Sequence, residues 1–292
     1  MNEKLHDLIV IGGGINGVGI AADAAGRGLS VALLEAADLA SGTSSWSSKL
    51  IHGGLRYLET YQFRLVKESL AEREVLLKMA PHLVTPLKFK MPHHPGMRPA
   101  WMISIGLFLY DHLSKRVSLP GSKRIRFAAD SHLQAKFKHG FEYSDCRVDD
   151  ARLVVMNAKL AEQKGAAILT RCQVTGAKRH KGIWLISAKT PEGDVSTFKA
   201  KTLVNAAGPW VSQVIAQIPE VSHKHRLRLV KGSHLLVPRI HDDPAAYILQ
   251  NDDGRVVFII PYLDDYSLIG TTDVDYAGDP VLQKLTMLKL II

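Results

Sequence analysis

The spacing of apolar and polar positions changes period several times along the 292-residue chain. Leu8 to Ile11 is a continuous apolar run of the length of a buried strand. A glycine cluster follows, then an alanine-rich stretch from about Ile15 to Gly26 with helical periodicity, which Arg27-Gly28 closes. Val31 to Leu34 is a second strand-like run and ends at Glu35. Strand, tight turn, helix and strand in so short a span predict one βαβ unit. Between Tyr61 and Ala80, Phe63, Val66, Leu70 and Leu77 fall on one helical face, and Pro81 ends the pattern. Residues 81–100, rich in proline and histidine, read as a loop.

The second half changes to a two-residue period. Asp149 or Asp150 caps a helix that runs to about Lys164 and stops at Gly165. Ile168 to Val174, Ile183 to Ala188 and Val195 to Lys199 alternate as strands, with the last two linked by turn sequences into an antiparallel meander. Residues 202–210, TLVNAAGPW, read as a buried strand that ends in small residues. Residues 227–239, 245–250, 255–262 and 266–273 supply further strands. There is no internal repeat.

Composition narrows the class only a little. Apolar residues make up 46% and charged residues 22%, which suits a globular chain with a sizeable core. The net charge is +9, with basic concentrations at Lys115, Arg116, Lys123, Arg124 and Arg126, and at Lys224, Arg226, Arg228 and Lys231 beside His223 and His225. Such an excess fits a solvated surface, an anionic membrane or an acidic substrate. No stacking motif or recognition module accompanies it, so nucleic acid is not an expected partner. Cys146 and Cys172 lack metal-type spacing, and His82, His93 and His94 lack matching carboxylates or thiols, so no metal site is expected. Two cysteines in no framework fit a reducing cytoplasm. The N-terminal sequence has no signal-peptide pattern. The apolar run Trp101–Tyr110 reaches about half the roughly 20 residues that span a bilayer.

The glycine cluster carries chemistry. Gly12, Gly14 and Gly17 satisfy G-x-G-x-x-G, with a strand before and a helix after. Gly12 permits a tight turn, Gly14 lets backbone approach a diphosphate, and Gly17 allows close helix–strand packing. Glu35, at the end of the next strand, is placed to accept hydrogen bonds from a ribose. The signature alone does not separate NAD from FAD. Its position at the start of a long chain, and the second strand-plus-glycine element Leu203-Val204-Asn205-Ala206-Ala207-Gly208, favour FAD.

Longer tracts carry a more specific likeness. LIVIGGGINGVGIAADAAGRGLSVALLE, SSWSSKLIHGGLRYL, AEREVLLKMAPHL, RPAWMISIGLFLYDHL, GFEYSDCRVDDARLV, LVNAAGPWV, KGSHLLVPR and SLIGTTD together resemble the FAD-dependent, respiratory glycerol-3-phosphate dehydrogenases. These belong to the D-amino-acid-oxidase-like flavoproteins. The resemblance covers about residues 5 to 280. It implies an α/β fold: a Rossmann-like FAD-binding domain of the two-dinucleotide-binding type, interleaved with an α+β substrate domain that contains an antiparallel sheet. Residues 1–80 and 145–225 are expected to form the first domain, and 81–144 and 226–280 an incomplete second one. Residues 281–292 do not match the family, and its later S-G-x-R-P and G-G-K segments and C-terminal helical domain are expected to be missing.

The reaction implied is oxidation of glycerol 3-phosphate to dihydroxyacetone phosphate, with FAD as cofactor and quinone as electron acceptor. By resemblance, Arg56 binds the substrate phosphate, Tyr57 and Thr272 supply hydroxyls, and His234 lies near the reacting carbinol as base, or else is a structural histidine. Gly12, Gly14, Asn16, Gly17, Glu35, Val174, Ala206, Gly208 and Trp210 are assigned to the cofactor. So are Ser44, Ser45, Ser47, Ser48, Lys49, Leu50, His52, Gly53 and Gly54, which run from the FAD domain towards the substrate residues. Trp46 is expected to be a packed aromatic. The stretch from Trp101 to Arg116 either lies on a membrane surface, as a quinone-reducing enzyme requires, or is a buried helix of the substrate domain. The implied location is cytoplasmic, with peripheral attachment to the inner membrane, and a homo-oligomer is left open. Two other readings stand beside this one: another oxidase of the same superfamily, and a shortened chain that holds FAD weakly and turns over poorly.

Overall fold

The structure, a computed structural model, describes residues 4–128, 131–219, 221, 227–251, 255–270 and 274–280. In chain order β1 (Leu5–Ile11), α1 (Ile15–Gly26) and β2 (Val31–Leu34) form the expected βαβ unit. Next come β3 (Leu50–Ile51), α2 (Phe63–Met79), β4 (Val84–His93), α3 (Ala100–His112), β5 (Lys123–Arg126) and β6 (His139–Val148). The helix α4 (Asp150–Gln163) leads to β7 (Ala167–Leu169), β8 (Gln173–His180), β9 (Ile183–Lys189), β10 (Val195–Asn205) and α5 (Val211–Ala216). The last part holds β11 (Val230–Lys231), β12 (His234–Pro238), β13 (Ala246–Gln250), β14 (Val256–Tyr262), β15 (Tyr266–Gly270) and β16 (Val274–Asp275).

These elements divide into two compact units. One comprises the described residues of Met1–Ser47, Asp149–Leu229 and Ala277–Gln283. Its six-stranded sheet has the order β7-β2-β1-β10-β9-β8. The strands β7, β2, β1 and β10 are parallel, while β10, β9 and β8 are antiparallel. Side chains alternate across β1 as a pleated strand requires. Leu8 and Val10 join Val18, Ala21, Val154 and Ala158 of α1 and α4, whereas Ile9 and Ile11 join Ile186, Ala188 and Phe198 on the other side. Small residues on α1 let the helices approach closely. Asp149 caps α4 by accepting from the Arg152 amide at 3.1 Å, which settles the choice between the two aspartates. Ile168 to Val174 is not one strand but the end of β7 and the start of β8, and residues 195–205 form one strand where two runs are legible in the sequence.

The other unit comprises the described residues of Ser48–Val148 and Val230–Tyr276. Its main sheet runs β12-β15-β14-β13-β4-β6-β3, with β5 added to β6. Only β13 and β4 pair in parallel. Val66 and Leu70 of α2 and Leu107 and Tyr110 of α3 pack with Phe89, Phe141, Ile248 and Ile260 of the sheet. Phe89 stacks on Tyr143 with ring centroids 5.2 Å apart and meets Phe258 edge-on.

Three expectations are corrected here. Residues 84–93 are a strand, not a loop. β4 pairs with β6 along its whole length but with β13 only at Phe89 and Lys90, so Pro86 and Pro92 lie beside an unpaired edge where a missing N–H costs nothing. The first boundary falls at Ser47/Ser48 and not at residue 80, because β3 pairs with β6 and α2 packs on the second sheet. Trp46 is 78% exposed rather than packed.

Among the described residues each unit buries one histidine. His6 lies beside Ser30, and His241 meets Tyr247 edge-on near Asp243, His132 and Arg239. Burial holds both imidazoles below the ordinary value of 6.5; Lys4 adds to this at His6, and Asp243 opposes it at His241. The unfolded chain therefore takes up these protons first. The stabilisation is complete above pH 6.5 and is lost as pH falls from there towards the lowered native values.

Two outcomes follow for stability. Replacing Phe89 by Ala is expected to cost about 3–5 kcal/mol, read as a fall in the denaturation midpoint in urea. The wild-type thermal midpoint should drop as the buffer is taken below pH 6.5. His241→Gln should make that drop shallower over the same range.

Candidate functional site

The site in the first unit begins where β1 stops. The Ile11 carbonyl accepts from the Ala206 amide at 2.8 Å, and the Gly12 amide donates to the Leu34 carbonyl at 2.9 Å. The chain must then leave the sheet and enter α1 at once. Gly12 does so at φ +110°, and a Cβ there would stand 2.5 Å from the Ala206 oxygen. A Cβ at Gly17 would stand 1.9 Å from the Gly12 oxygen. Only glycine permits both approaches.

The start of α1 is thus pressed against the ends of β1 and β10. Its first turn carries no acidic residue, and its Gly14 N-cap makes no side-chain cap bond. The Ile15 amide donates to Ser44 Oγ at 3.0 Å. The helix end keeps its positive dipole for an anion, and the Ser44 hydroxyl stands at its first amide. Glu35 is held by two backbone donors, the Gly13 amide at 2.6 Å and the Ala37 amide at 2.7 Å. An ionised carboxylate has about four acceptor positions, so two stay available for hydroxyl groups.

The facing wall comes from the end of β10. Asn205 closes it: its Nδ2 donates to the Val211 carbonyl at 2.9 Å and its Oδ1 accepts from the Ala207 amide at 3.2 Å. Gly208 turns the chain at φ +53°, and the Trp210 ring lies over Gly42. Between these walls is a cavity of about 590 Å³. That volume falls in the usual range for a cofactor site.

Of the residues assigned to the cofactor from sequence, Gly12, Gly14, Asn16, Glu35, Ser44, Val174, Ala206, Gly208 and Trp210 line this cavity. Gly17 lies beneath it and shapes the turn. Thr43, Gln173, Gln213, Gln217 and Asp279 also line it and escape the sequence reading. The Gln213/Gln217 spacing of one helical turn, just after Gly208, is the signal that would have found two of them. Ser45 and Ser47 do not line the cavity. Ser47 Oγ donates to Asp150 at 2.7 Å, at the start of α4.

Ser48, Lys49, Leu50, His52, Gly53 and Gly54 belong to the second unit. There Ser48 Oγ and His234 Nε2 are 2.9 Å apart. Gly270 leaves room for the imidazole, since a Cβ on it would come within 2.3 Å of the His234 ring. Lys49, at φ +55°, accepts from the Val148 amide and lies over the Tyr262 ring. Leu50 pairs with Arg147 through β3. Arg56 lines a separate hollow of about 200 Å³ with Glu59, Arg98, Gln250 and Asn251. Arg98 pairs with Glu59 at the same place. The Tyr57 ring packs on Gly54 and is half exposed. The structure thus brings His234 to Ser48 and places Arg56 in a hollow that His234 does not line. Thr272 lies outside the described residues, as do His223, Lys224, His225 and Arg226.

On α3, Leu107 and Tyr110 are buried, but Trp101, Met102, Ile105 and Phe108 are exposed. The reading as a buried helix holds for the first face, and the other face is apolar and open. No helix among the described residues is long and apolar enough to cross a membrane.

Known proteins extend this picture. The aerobic glycerol-3-phosphate dehydrogenase of Escherichia coli is 61% identical over 283 residues, covering 97% of this chain and 56% of that protein. The D-erythritol 1-phosphate dehydrogenase of Brucella abortus is 54% identical over 276 residues, covering 93% of this chain and 55% of that protein. The solved structure of the glycerol-3-phosphate dehydrogenase from Bacillus halodurans, complexed with FAD, matches at TM-score 0.76 and 32% identity. It is covered to 52%, and this chain to 99%. The chain spans about half the length of the curated relatives it matches. The family model described as FAD dependent oxidoreductase matches residues 7–287. A glycine turn with no room for a Cβ at Gly12 or Gly17, a carboxylate held at the next strand end and a match over almost every residue agree: the chain belongs to the FAD dependent oxidoreductase family.

Proposed function

We propose that this chain holds FAD in the first unit and belongs to a quinone-reducing enzyme that oxidises glycerol 3-phosphate to dihydroxyacetone phosphate. The observation that carries the reading is the cavity between the start of α1 and Gly208-Trp210, with Glu35 fixed at its edge. The residues present fit the cofactor. The bare Gly12–Gly17 turn brings the start of α1 to the cavity, and no carboxylate stands in the first turn of α1 to repel a diphosphate. The α1 amides would take the diphosphate and Glu35 the ribose hydroxyls. FAD, when bound, supplies the hydride acceptor.

The remaining work falls to side chains of the second unit. Arg56 offers a fork of donors to a phosphate dianion. His234 would take the hydroxyl proton of the carbinol on Nε2, which requires the tautomer with its proton on Nδ1 and requires the carbinol to displace the Ser48 hydroxyl, 2.9 Å away, from that nitrogen's one lone pair. Tyr57 and Thr272 supply further hydroxyl contacts, and Ser45, Ser47, Ser48, Lys49, Leu50, His52, Gly53 and Gly54 extend the cofactor site.

A second substrate reading rests on the erythritol relative. At 54% identity it is nearly as similar to this chain as the glycerol enzyme. Both substrates are polyol phosphates, and both readings use the same groups.

For a quinone-reducing enzyme a lipid surface is the place where the acceptor is reached. The exposed face of α3 fits one. Trp101 is 60% and Phe108 59% exposed, with Met102 and Ile105 beside them. Arg124 of β5 bonds Ser104 of this helix, which sets the basic strand Lys123–Arg126 next to the apolar face. Apolar side chains flanked by cations suit the cytoplasmic leaflet of an anionic bilayer.

With FAD bound, glycerol 3-phosphate should reduce an artificial dye, whereas amino acids should yield no peroxide. A chain that never retains FAD, or one that oxidises amino acids instead, would defeat the proposal. His234→Gln should lower kcat by about 10²–10⁴ and abolish the acidic limb of the pH profile. Erythritol 1-phosphate, supplied in parallel, decides between the two substrates by its kcat/KM. Co-sedimentation with anionic vesicles should fall on Trp101→Ser with Phe108→Ser, while neutral vesicles bind neither form.

A further inference from the structure

Beneath the His52-Gly53-Gly54 loop runs a buried polar chain that the proposed chemistry leaves unused. The Gly53 amide donates to Tyr110 Oη at 2.7 Å. Tyr110, on α3 and 3% exposed, reaches both Asp145 carboxylate oxygens, at 2.8 and 2.9 Å. Asp145 is 1% exposed and pairs with Arg73 of α2, itself 4% exposed, which also donates to the Ser144 carbonyl at 3.1 Å.

The direction of every bond in this chain is fixed by donor and acceptor capacity. Arginine only donates and a carboxylate only accepts, so the single phenolic proton goes to Asp145 and a phenolic lone pair receives the Gly53 amide. The fit is tight. A Cβ on Gly53 would stand 2.4 Å from the Leu70 side chain and 2.8 Å from Tyr110 Oη. The next amide turns the other way: Gly54, at φ +71°, donates to His52 Nδ1 at 3.0 Å.

Such a chain is a poor way to gain stability. Burial raises the Asp145 carboxyl above its ordinary range, against the pull of Arg73. A buried ion pair is often matched or beaten by apolar residues of the same volume. What the pair does accomplish is to hold one phenolic hydroxyl at one place under one loop amide. We propose that Tyr110 is a positioning residue: its hydroxyl, anchored by Asp145 and Arg73, holds the Gly53 amide and so sets the His52-Gly53-Gly54 turn for the cofactor. The last step rests on the function proposed above for that loop. The same tyrosine ties the turn to α3, the helix whose other face is apolar and exposed.

Tyr110→Phe removes the hydroxyl and keeps the ring, whose edge-on contact with Tyr143 is at 5.9 Å. Hydrogen exchange of the Gly53 amide should then rise about tenfold, the effect of one hydrogen bond. The amides of Leu70 and Phe89, in the same core, should change little. In FAD-loaded protein the variant should release FAD faster and show a displaced visible flavin band. An unchanged Gly53 amide in a folded variant, or an equal rise at Leu70 and Phe89, would overturn the proposal. A Gly53 response with an unaltered flavin band and FAD release would overturn its cofactor-facing part. If wild-type chain binds no FAD, the function proposed above fails, and the exchange result alone decides the role of Tyr110. If the variant does not fold, the wild-type amide decides: protection like that of Leu70 supports the assignment, and exchange at the rate of an exposed loop refutes it.

Discussion

The contact between the Gly12 carbonyl and Gly17 is the constraint on which the first unit depends. A strand must end, turn and become a helix with no room for one Cβ at Gly17. Because that turn is so tight, the α1 N-terminus lies at the sheet edge, between the ends of β1 and β10. The parallel pairing Ile9↔Leu203, Val10↔Val204 and Ile11↔Asn205 brings the second small-residue element to the same place. Glu35 is then in reach of the Gly13 amide, because β2 runs beside β1 in register. One steric condition thus positions a helix dipole, a carboxylate and a facing wall. Each is a weak feature alone, and their convergence makes a ligand site.

This is also why the first unit was the legible part of the chain. Its signals are local: a strand, glycines at fixed spacing, a helix, and a carboxylate at the next strand end. The second unit resisted reading where its structure comes from distant partners. β4 carries two prolines and ends on a histidine, and its strand character derives from ten residues of pairing with β6, far along the chain. The boundary at Ser47/Ser48 has no sequence mark, since it depends on β3 joining that same strand. Trp46 illustrates the opposite failure. A large aromatic within a dense motif is read as core, yet nothing packs over it within its unit and it stands in solvent. Gln213 and Gln217 were readable in principle, but two glutamines at helical spacing acquire meaning only once Gly208 and Trp210 are known to form a wall.

The site residues of the second unit show what a motif likeness leaves out. His234 and Ser48 are far apart in sequence and meet through a side-chain contact that depends on Gly270 being bare. Arg56 is close to Ser48 in sequence, yet its neighbours are Arg98, Glu59, Gln250 and Asn251. Glu59 neutralises Arg98 there, so the guanidinium of Arg56 is the cation of that hollow with no carboxylate bonded to it among the described residues. Resemblance gives each residue a role one at a time. The structure adds which residues share a neighbourhood, and it groups these differently from their order in the chain.

That grouping bears on substrate choice within the proposed reading. Glycerol 3-phosphate and erythritol 1-phosphate share a phosphate and a secondary alcohol. Arg56 and His234 would treat the two alike, so neither can be the discriminating group. Discrimination has to come from residues that meet the part of the longer polyol the shorter one lacks. A site that closes tightly around the shorter substrate excludes the extra carbon sterically. One that hydrogen-bonds the extra hydroxyl rejects the shorter substrate instead, because its own polar groups are then left unpaired. The second mechanism is the stronger of the two and needs a buried polar side chain with an unmet partner.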